Sequence, residues 1–306
     1  SMTPRNPEVQ SVSAFFPCYN DEFSIPIMVR AARSALLDSV DEFEIIVVDD
    51  GSSDGSSTAL DGLREEVPEL IIVRHATNRG YGGALISGFG ASTKQWIFYT
   101  DGDAQYDASE LVRCIDAVHP NTDVVQGWKL QRGDPWYRKA IGRGYHHAVR
   151  LLFNLHVRDT DCDFRFVRST LMSEVSLTSS SGVICVEMMR KFERAGAQFV
   201  EVGVSHRARP YGHSQFFRLP AIERSTAQLI GLWWRLVARR GAVADSLALV
   251  RTLHHGHLRT LRPQHSGELA VPGDVGETRP GGCTPEHGAE IHRTHDVVHR
   301  RADETG

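Results

Sequence analysis

Four short apolar runs, separated by longer helix-compatible stretches, constrain this chain more than any other feature. Residues 12–16, 43–48, 70–74 and 96–100 are β-branched or aromatic and bounded by polar turn residues. Apolar residues on consecutive positions mark strands buried on both faces. Between them, residues 27–37, 58–66 and 83–92 have helical character. Strand and helix alternating at roughly 25–30-residue spacing is the mark of βαβ units, so the sequence predicts an α/β fold with a mostly parallel central sheet. A further strand is predicted at residues 124–127.

In such sheets ligands sit beyond the carboxyl ends of the strands, and the strand ends here are polar and acidic. The first run leads into Pro17-Cys18-Tyr19-Asn20-Asp21-Glu22, the second into Asp49-Asp50-Gly51-Ser52-Ser53-Asp54, and the fourth into Asp101-Gly102-Asp103-Ala104-Gln105. Asp101 and Asp103, one residue apart at a strand end, can offer oxygen ligands to one hard cation, Mg²⁺ or Mn²⁺. Gly102 would let the backbone turn tightly between them, and Gln105 adds a neutral oxygen. The competing reading is a solvated Asp-Gly turn. Asp49 or Asp50 could accept hydrogen bonds from a nucleobase or ribose; the same residues also suit a turn and helix cap.

Composition narrows the classes. With 41% hydrophobic and 24% charged residues among 306, the chain is ordinary globular protein, not disordered, collagenous or membrane-spanning as a whole. Lys and Arg number 34 against 38 Asp and Glu, a formal net charge of −4, which argues against a general nucleic-acid binder. Five scattered cysteines (Cys18, Cys114, Cys162, Cys185, Cys283) contain no CxxC pair. That supports neither a disulfide framework nor a zinc ribbon and points to a reducing compartment. Ser1-Met2 reads as a cleavage remnant within an N-terminal extension over residues 1–10, and no secretory signal pattern follows. From about residue 241 periodicity gives way to Gly, Pro, Thr, Arg and His, with eight of the fifteen histidines at or beyond His254. Residues 241–306 are expected to form a flexible polar tail.

The glycine-rich segment Asn78-Arg79-Gly80-Tyr81-Gly82-Gly83-Ala84 fails the dinucleotide pattern, because the sixth position from Gly80 is Leu85. It still opens a helix whose free N–H groups suit a phosphate. No GxxxxGK[ST] segment occurs, so ATP hydrolysis and hydride transfer both lose support.

The motifs Pro17–Asp21, Val48–Gly55, Asn78–Gly82 and Asp101–Gln105 together resemble those of glycosyltransferase family 2, in particular the dolichol- or polyprenyl-phosphate mannose and glucose synthases. Later segments agree: 132–138 (RGDPWYR), 161–168 (DCDFRFVR) and 206–214 (HRARPYGHS). The likeness covers about residues 10–235. It implies a GT-A fold, a nucleotide-diphosphate sugar donor, a divalent cation and inversion at the anomeric carbon. On that resemblance, Pro17, Tyr19, Asn20, Asp21, Asp49, Asp50, Gly80 and Asp101 serve the donor nucleotide. Asp101, Asp103 and Gln105 hold the metal and, through it, the diphosphate. Residues 11–218 would form the catalytic domain.

Lys129, Arg132, Arg138, Arg165, Arg168, Arg207 and Arg209 gather in the second half of an acidic chain. This suggests a second anion site, with Ser214 beside it, for the acceptor's phosphate. Lys129 stands where the family often has arginine, Gln215 where it often has lysine, and no transmembrane pair follows. A lipid phosphate is already ionised and needs only positioning, whereas a hydroxyl acceptor needs a general base, for which Asp163 and Glu187 are the candidates. Residues 143–158 are amphipathic with basic ends, and residues 219–240 carry the adjacent Trp233-Trp234 and close with Arg239-Arg240; both suit an interfacial helix or a packed helix or dimer contact. The leading expectation is therefore a polyprenyl-phosphate sugar synthase held peripherally at the cytoplasmic face of a membrane. A hydroxyl-acceptor family 2 enzyme is the alternative. A sugar nucleotidyltransferase would show a Gly-rich basic loop after the first strand, where this chain has Pro-Cys-Tyr-Asn-Asp-Glu. A catalytically dead binding protein would be expected to lack part of the acidic triplet.

Overall fold

The computed structural model describes residues 5–130, 149, 151–155, 159, 162–211 and 219–238, with backbone alone at 219–225. Seven strands and seven helices are named here: β1 (Ser11–Cys18), α1 (Ile25–Ser39), β2 (Glu42–Asp49), α2 (Ser56–Glu66), β3 (Leu70–Arg74), α3 (Gly80–Ala91), β4 (Trp96–Thr100), α4 (Leu111–Asp116), β5 (Val124–Lys129), β6 (Phe164–Arg168), α5 (Ser169–Glu174), α6 (Val183–Arg194), β7 (Phe199–Val204) and α7 (Leu219–Trp233). The four strands expected in the first hundred residues are all present.

One sheet carries all seven strands in the order β3-β2-β1-β4-β6-β5-β7. Strands β1 to β4 run parallel, β5 and β7 are parallel, and β6 runs antiparallel between β4 and β5. The alternation of side chains along each strand feeds two cores. Val12, Ala14 and Phe16 of β1, Ile45 and Val47 of β2, and Trp96 and Phe98 of β4 face one layer with α1, α2 and α4. Phe15, Ile46, Val48, Ile97 and Tyr99 face the other with α3, α5, α6 and α7. Both faces are covered, which explains the unbroken apolar runs. Helix α1 starts with Pro26 in its first turn, where a missing N–H costs nothing, and buries Met28, Val29, Ala32 and Leu36 as one stripe. Helix α3 lies close on β1: a Cβ at Gly88 would stand 2.4 Å from the Phe15 ring.

At the amino-terminal rim a buried carboxylate is fully bonded. Glu44 accepts from Ser13 Oγ at 2.6 Å and from the Thr93 N–H at 2.7 Å, so its burial leaves no unmet acceptor. The four cysteines among the described residues, Cys18, Cys114, Cys162 and Cys185, are buried and free.

Strand order reverses between β1 and β4. The β1–α1–β2 crossover leaves in one direction and β4 pairs on β1's other edge, so the carboxyl ends of these two strands flank an opening where ligands bind in open α/β sheets. Antiparallel β6 adds a third contribution. Pairing of Thr100 with Phe164 brings Asp163, just before β6, to the same rim.

Candidate active site

The β4 exit loop carries Asp101 and Asp103. Gly102 between them is required for close approach, not for a left-handed turn: a Cβ there would meet the Pro17 carbonyl oxygen at 2.5 Å and Ile25 at 3.2 Å. The left-handed residue is Ala104, with φ of 57°, a conformation rare for residues other than glycine. Asp103 Oδ1 accepts the Gln105 N–H at 3.0 Å. Asp101 Oδ1 accepts from the Tyr81 hydroxyl at 2.7 Å.

These carboxylates crowd one another. Burial, then the neighbouring charges of Asp163 and Asp103, push the Asp101 carboxyl well above the usual range. Burial raises Asp103 as well, against the opposing pull of Arg209 and the Gln105 N–H. Two carboxylates at a rim with mutual repulsion form the donor set a hard divalent cation satisfies. Among the described residues no group of three His, Cys, Asp or Glu side chains is arranged around one point. Asp101 and Asp103 would thus hold Mg²⁺ or Mn²⁺ together with oxygens supplied by a bound diphosphate, as Mg²⁺ commonly requires. Gln105 turns its amide nitrogen to the Arg207 carbonyl at 3.2 Å, which ties the β4 loop to the segment after β7.

The β1 loop is stitched to the β2 loop. Asn20, at φ of 58°, donates its N–H to Ser52 Oγ and accepts the Ser53 N–H at 2.8 Å, so its amide oxygen is spent on the protein and not offered to a donor. Tyr19 is partly exposed and its N–H reaches Asp21 Oδ2. Pro17 sits behind Gly102. Burial, partly offset by Arg209, pushes Asp21 up to about 6. Asp49 takes the capping role: it accepts the Ser52 N–H at 2.9 Å and the Ser57 hydroxyl at 2.6 Å. Burial would raise its carboxyl, but these bonds and Arg74 hold it below the usual range. Asp50 accepts the Arg79 N–H at 2.8 Å through Oδ1.

The basic set divides. Arg209 bridges the rim, 3.2 Å from Asp103 and 3.5 Å from Asp21. Lys129 ends β5 with its ammonium 6.0 Å from the Tyr106 ring centre, and its charge is felt at Asp101. Arg207 is largely exposed, 3.7 Å from Asp107. Arg165, expected at an acceptor phosphate, is instead fully buried. It donates to Gln126 Oε1 at 2.7 Å, to Asp163 Oδ1 at 2.8 Å and to the Tyr99 hydroxyl, so it holds Asp163 from beneath. Arg168 pairs opposite Trp96 at the far end of β4, stacks on that ring at 4.5 Å and caps the Thr122 carbonyl. It belongs to the opposite rim. Arg132, Arg138 and Ser214 lie outside the described residues.

Two further expectations are corrected. The N–H groups of Gly80 and Gly82 are used internally: Gly80 donates to Asn78 Oδ1 and Gly82 to the Ser180 carbonyl, both at 2.9 Å. Gly80 has φ of +81°, and Cβ atoms at Gly80 and Gly82 would strike the Ser180 and Ser179 carbonyls at 2.6 and 2.0 Å. These glycines seat α3 against the 179–180 backbone, not a phosphate. Glu187, a candidate base, faces inward from α6. It accepts from the Thr178 and Ser179 N–H groups and from Lys191 Nζ at 2.6 Å. Burial would raise its carboxyl, but Lys191 and the N–H donors outweigh that and leave it low. A depressed acid stabilises the fold above its unfolded value, about 4.3 for glutamate, and loses that contribution as pH falls through the lower folded value. Glu187→Gln is therefore expected to cost about 1–2 kcal/mol at pH 7. That deficit should shrink towards zero in urea titrations carried down to pH 3, while donor binding at pH 7 persists.

The sequence of residues 13–175, just over half the chain, matches the family model for glycosyl transferase family 2. The chain belongs to this family. Curated relatives of this family 2 chain include undecaprenyl-phosphate 4-deoxy-4-formamido-L-arabinose transferases. The Aeromonas hydrophila protein is 26% identical over 212 residues, 69% of this chain and 64% of the relative. That of Enterobacter sp. (strain 638) is 29% identical over 231 residues, 75% and 67% of the two chains. The match thus spans about two thirds of these relatives' length. The fold is that of the GT-A enzymes. Glucosyl-3-phosphoglycerate synthase from Mycobacterium tuberculosis, in complex with UDP, superposes with a TM-score of 0.56 at 17% identity over 74% of this chain and 79% of that one. Its complex with Mn²⁺ and UDP-glucose gives 0.55 at 18% identity, over 75% and 79%.

Several side chains that contact these carboxylates escaped sequence reasoning. Tyr81 lies inside the glycine-rich motif but was read only for its glycines. Cys185, whose Sγ lies 3.0 Å from Asp163 Oδ1, sits in an apolar helix with no local signal. His75 follows β3 and becomes meaningful only beside Asp50.

Proposed function

We propose that the chain is a metal-dependent inverting glycosyltransferase that moves a hexose from a nucleotide-diphosphate sugar, GDP-mannose or UDP-glucose, to a polyprenyl phosphate at the cytoplasmic face of a membrane. The observation that carries the reading is the convergence of Asp101, Asp103 and Asp163 on the rim where β1 and β4 diverge. The curated relatives, named as undecaprenyl-phosphate sugar transferases, support the acceptor class. A protein of the same fold solved with Mn²⁺ and UDP-glucose supports a divalent cation and a nucleotide-sugar donor.

When bound, the cation would neutralise negative charge developing on the diphosphate leaving group. The chain's own groups do the rest. Tyr81 orients Asp101, and Arg209 links the β1 and β4 loops across the opening. Lys129 and Arg207 place positive charge on the acceptor side, where an ionised phosphate needs orientation and charge compensation but no base. Attack by a phosphate oxygen opposite the departing diphosphate inverts the anomeric carbon. Asp163, already accepting from Arg165 and Cys185, is the remaining candidate base if the acceptor were a hydroxyl.

The membrane reading has physical support. Helix α7 buries Leu232 yet leaves Ile230 and, in the following π turn Trp234–Ala238, Trp234 exposed. Leu151 and Leu152 are exposed beside it, with Trp233 Nε1 donating to the Leu152 carbonyl at 3.0 Å. An apolar, tryptophan-bearing face next to Arg235 suits the headgroup boundary. No described helix is long and apolar enough to cross a membrane. The rest of the amphipathic stretch at 143–158 and the tail beyond residue 238 lie outside the described residues.

The test is a transfer panel: purified protein, Mn²⁺ or Mg²⁺, labelled nucleotide sugars, with and without polyprenyl phosphate. Label is expected to enter the organic phase only with both lipid and metal, and chelation should abolish it. Lipid-independent transfer to a hydroxyl would overturn the acceptor assignment.

A further inference from the structure

Three side chains from three elements form a buried hydrogen-bonded line behind the β2 exit. His75, immediately after β3, places Nδ1 2.5 Å from Asp50 Oδ1 and Nε2 2.8 Å from Ser87 Oγ in α3. The His75 and Asp50 side chains are 2% and 3% exposed. In a neutral ring with Asp50 ionised, Nδ1 donates to the carboxylate and Nε2 accepts the serine hydroxyl. The His75 N–H in turn donates to the Asp49 carbonyl at 2.9 Å, which fixes the base of the imidazole to the strand that carries Asp50.

A Ser-His-Asp line invites a nucleophile reading, which the geometry does not support. Ser87 lies in the body of a twelve-residue helix, where neighbouring N–H groups serve the helix ladder and none is left to stabilise an oxyanion. What the line does is commit one oxygen of Asp50. Oδ1 takes both protein donors, His75 Nδ1 and the Arg79 N–H, whereas Oδ2 has no hydrogen-bond partner among the described residues. A carboxylate pinned through one oxygen presents the other at a fixed position, and it is acceptor-only. An acceptor at that position selects a base edge that carries an imino N–H. Uracil and guanine have one; cytosine and adenine offer a lone pair at the equivalent ring nitrogen.

We propose that His75, backed by Ser87, is a positioning residue for base recognition. It holds Asp50 so that Oδ2 reads the imino N–H of a uracil or guanine nucleotide. The inference rests on the nucleotide-sugar reading given above, whose GDP and UDP donors already carry such bases, and adds to it the residue that enforces the selection.

The test is calorimetric titration of UDP, GDP, CDP and ADP in the presence of Mn²⁺, with thermal midpoints measured in parallel. The wild type is expected to prefer UDP or GDP. His75→Ala and Asp50→Asn should each weaken the preferred nucleotide about tenfold, the scale of one hydrogen bond to a charged group, and leave CDP and ADP within about twofold. Combining the two should cost no more than Asp50→Asn alone, because the histidine acts through the carboxylate. His75→Asn places an amide nitrogen near the former Nδ1 and is expected to recover most of the selectivity. His75→Gln, whose amide reaches towards the former Nε2, is not. Equal weakening of all four nucleotides with a lowered thermal midpoint would show a merely structural histidine and overturn the inference. So would unchanged selectivity in His75→Ala. If the wild type binds none of the four, the nucleotide-sugar reading itself falls, an outcome distinct from a selective wild type matched by an equally selective His75→Ala.

Discussion

Asp103→Ala is expected to abolish the Mn²⁺-dependent part of nucleoside diphosphate binding, a loss of about a hundredfold or more on the scale set by removing a charged ligand. The protein should remain folded. Burial, with the Asp163 charge added to it, already pushes the Asp103 carboxyl up, so its removal relieves repulsion at Asp101 even as Arg209 loses its contact with this carboxylate. A site residue whose deletion leaves stability unchanged or improved is the usual sign of a group kept for binding and not for folding. Calorimetry with and without Mn²⁺ checks the first half and denaturant titration the second. Unaltered metal-dependent binding would reject Asp103 as a ligand.

Arg165→Leu should have the opposite profile. The guanidinium is fully buried and donates to Gln126, Asp163 and Tyr99 at once. Leucine fills similar space but strands the Asp163 carboxylate, and breaking one side of a buried ion pair costs about 3–5 kcal/mol. Urea unfolding should show that shift in midpoint with an unchanged slope. Arg165→Lys keeps the charge yet cannot reach three acceptors in fork geometry, so only part of the loss should be recovered. A change below about 1 kcal/mol would mean the network is dispensable.

The parallel half of the sheet was legible because its strands are buried on both faces, so hydrophobicity alone marks them. The β4 acids were legible for a related reason: charges directly after such a run have only the rim to occupy. What the sequence concealed depends on pairing across long separations. Nothing near Arg165 says that β6 inserts antiparallel beside β4, which turns a candidate phosphate ligand into a buried support and sends Arg168 to the other rim. Glu187 is a candidate base for a hydroxyl acceptor in the sequence, but its partners Thr178 and Ser179 lie on a loop without pattern. Gly80 and Gly82 were rightly singled out as exceptional, but the neighbour they make room for is the 179–180 backbone, a hundred residues away.

The placement of β6 also sets when the acidic rim can exist. Strand β5 is made before β6, yet β6 separates it from β4, so β5 finds no sheet neighbour until later segments of the chain arrive. Strands β1 to β4 can condense through near-neighbour crossovers, whereas bringing Asp163 beside Asp101 requires closing a loop of some sixty residues, the slow kind of contact in folding kinetics. Electrostatic repulsion among the three aspartates is thereby deferred until most of the sheet is available to bear it. A nascent chain halted just after β4 would carry Asp101 and Asp103, the proposed metal ligands, without the third acid that crowds them.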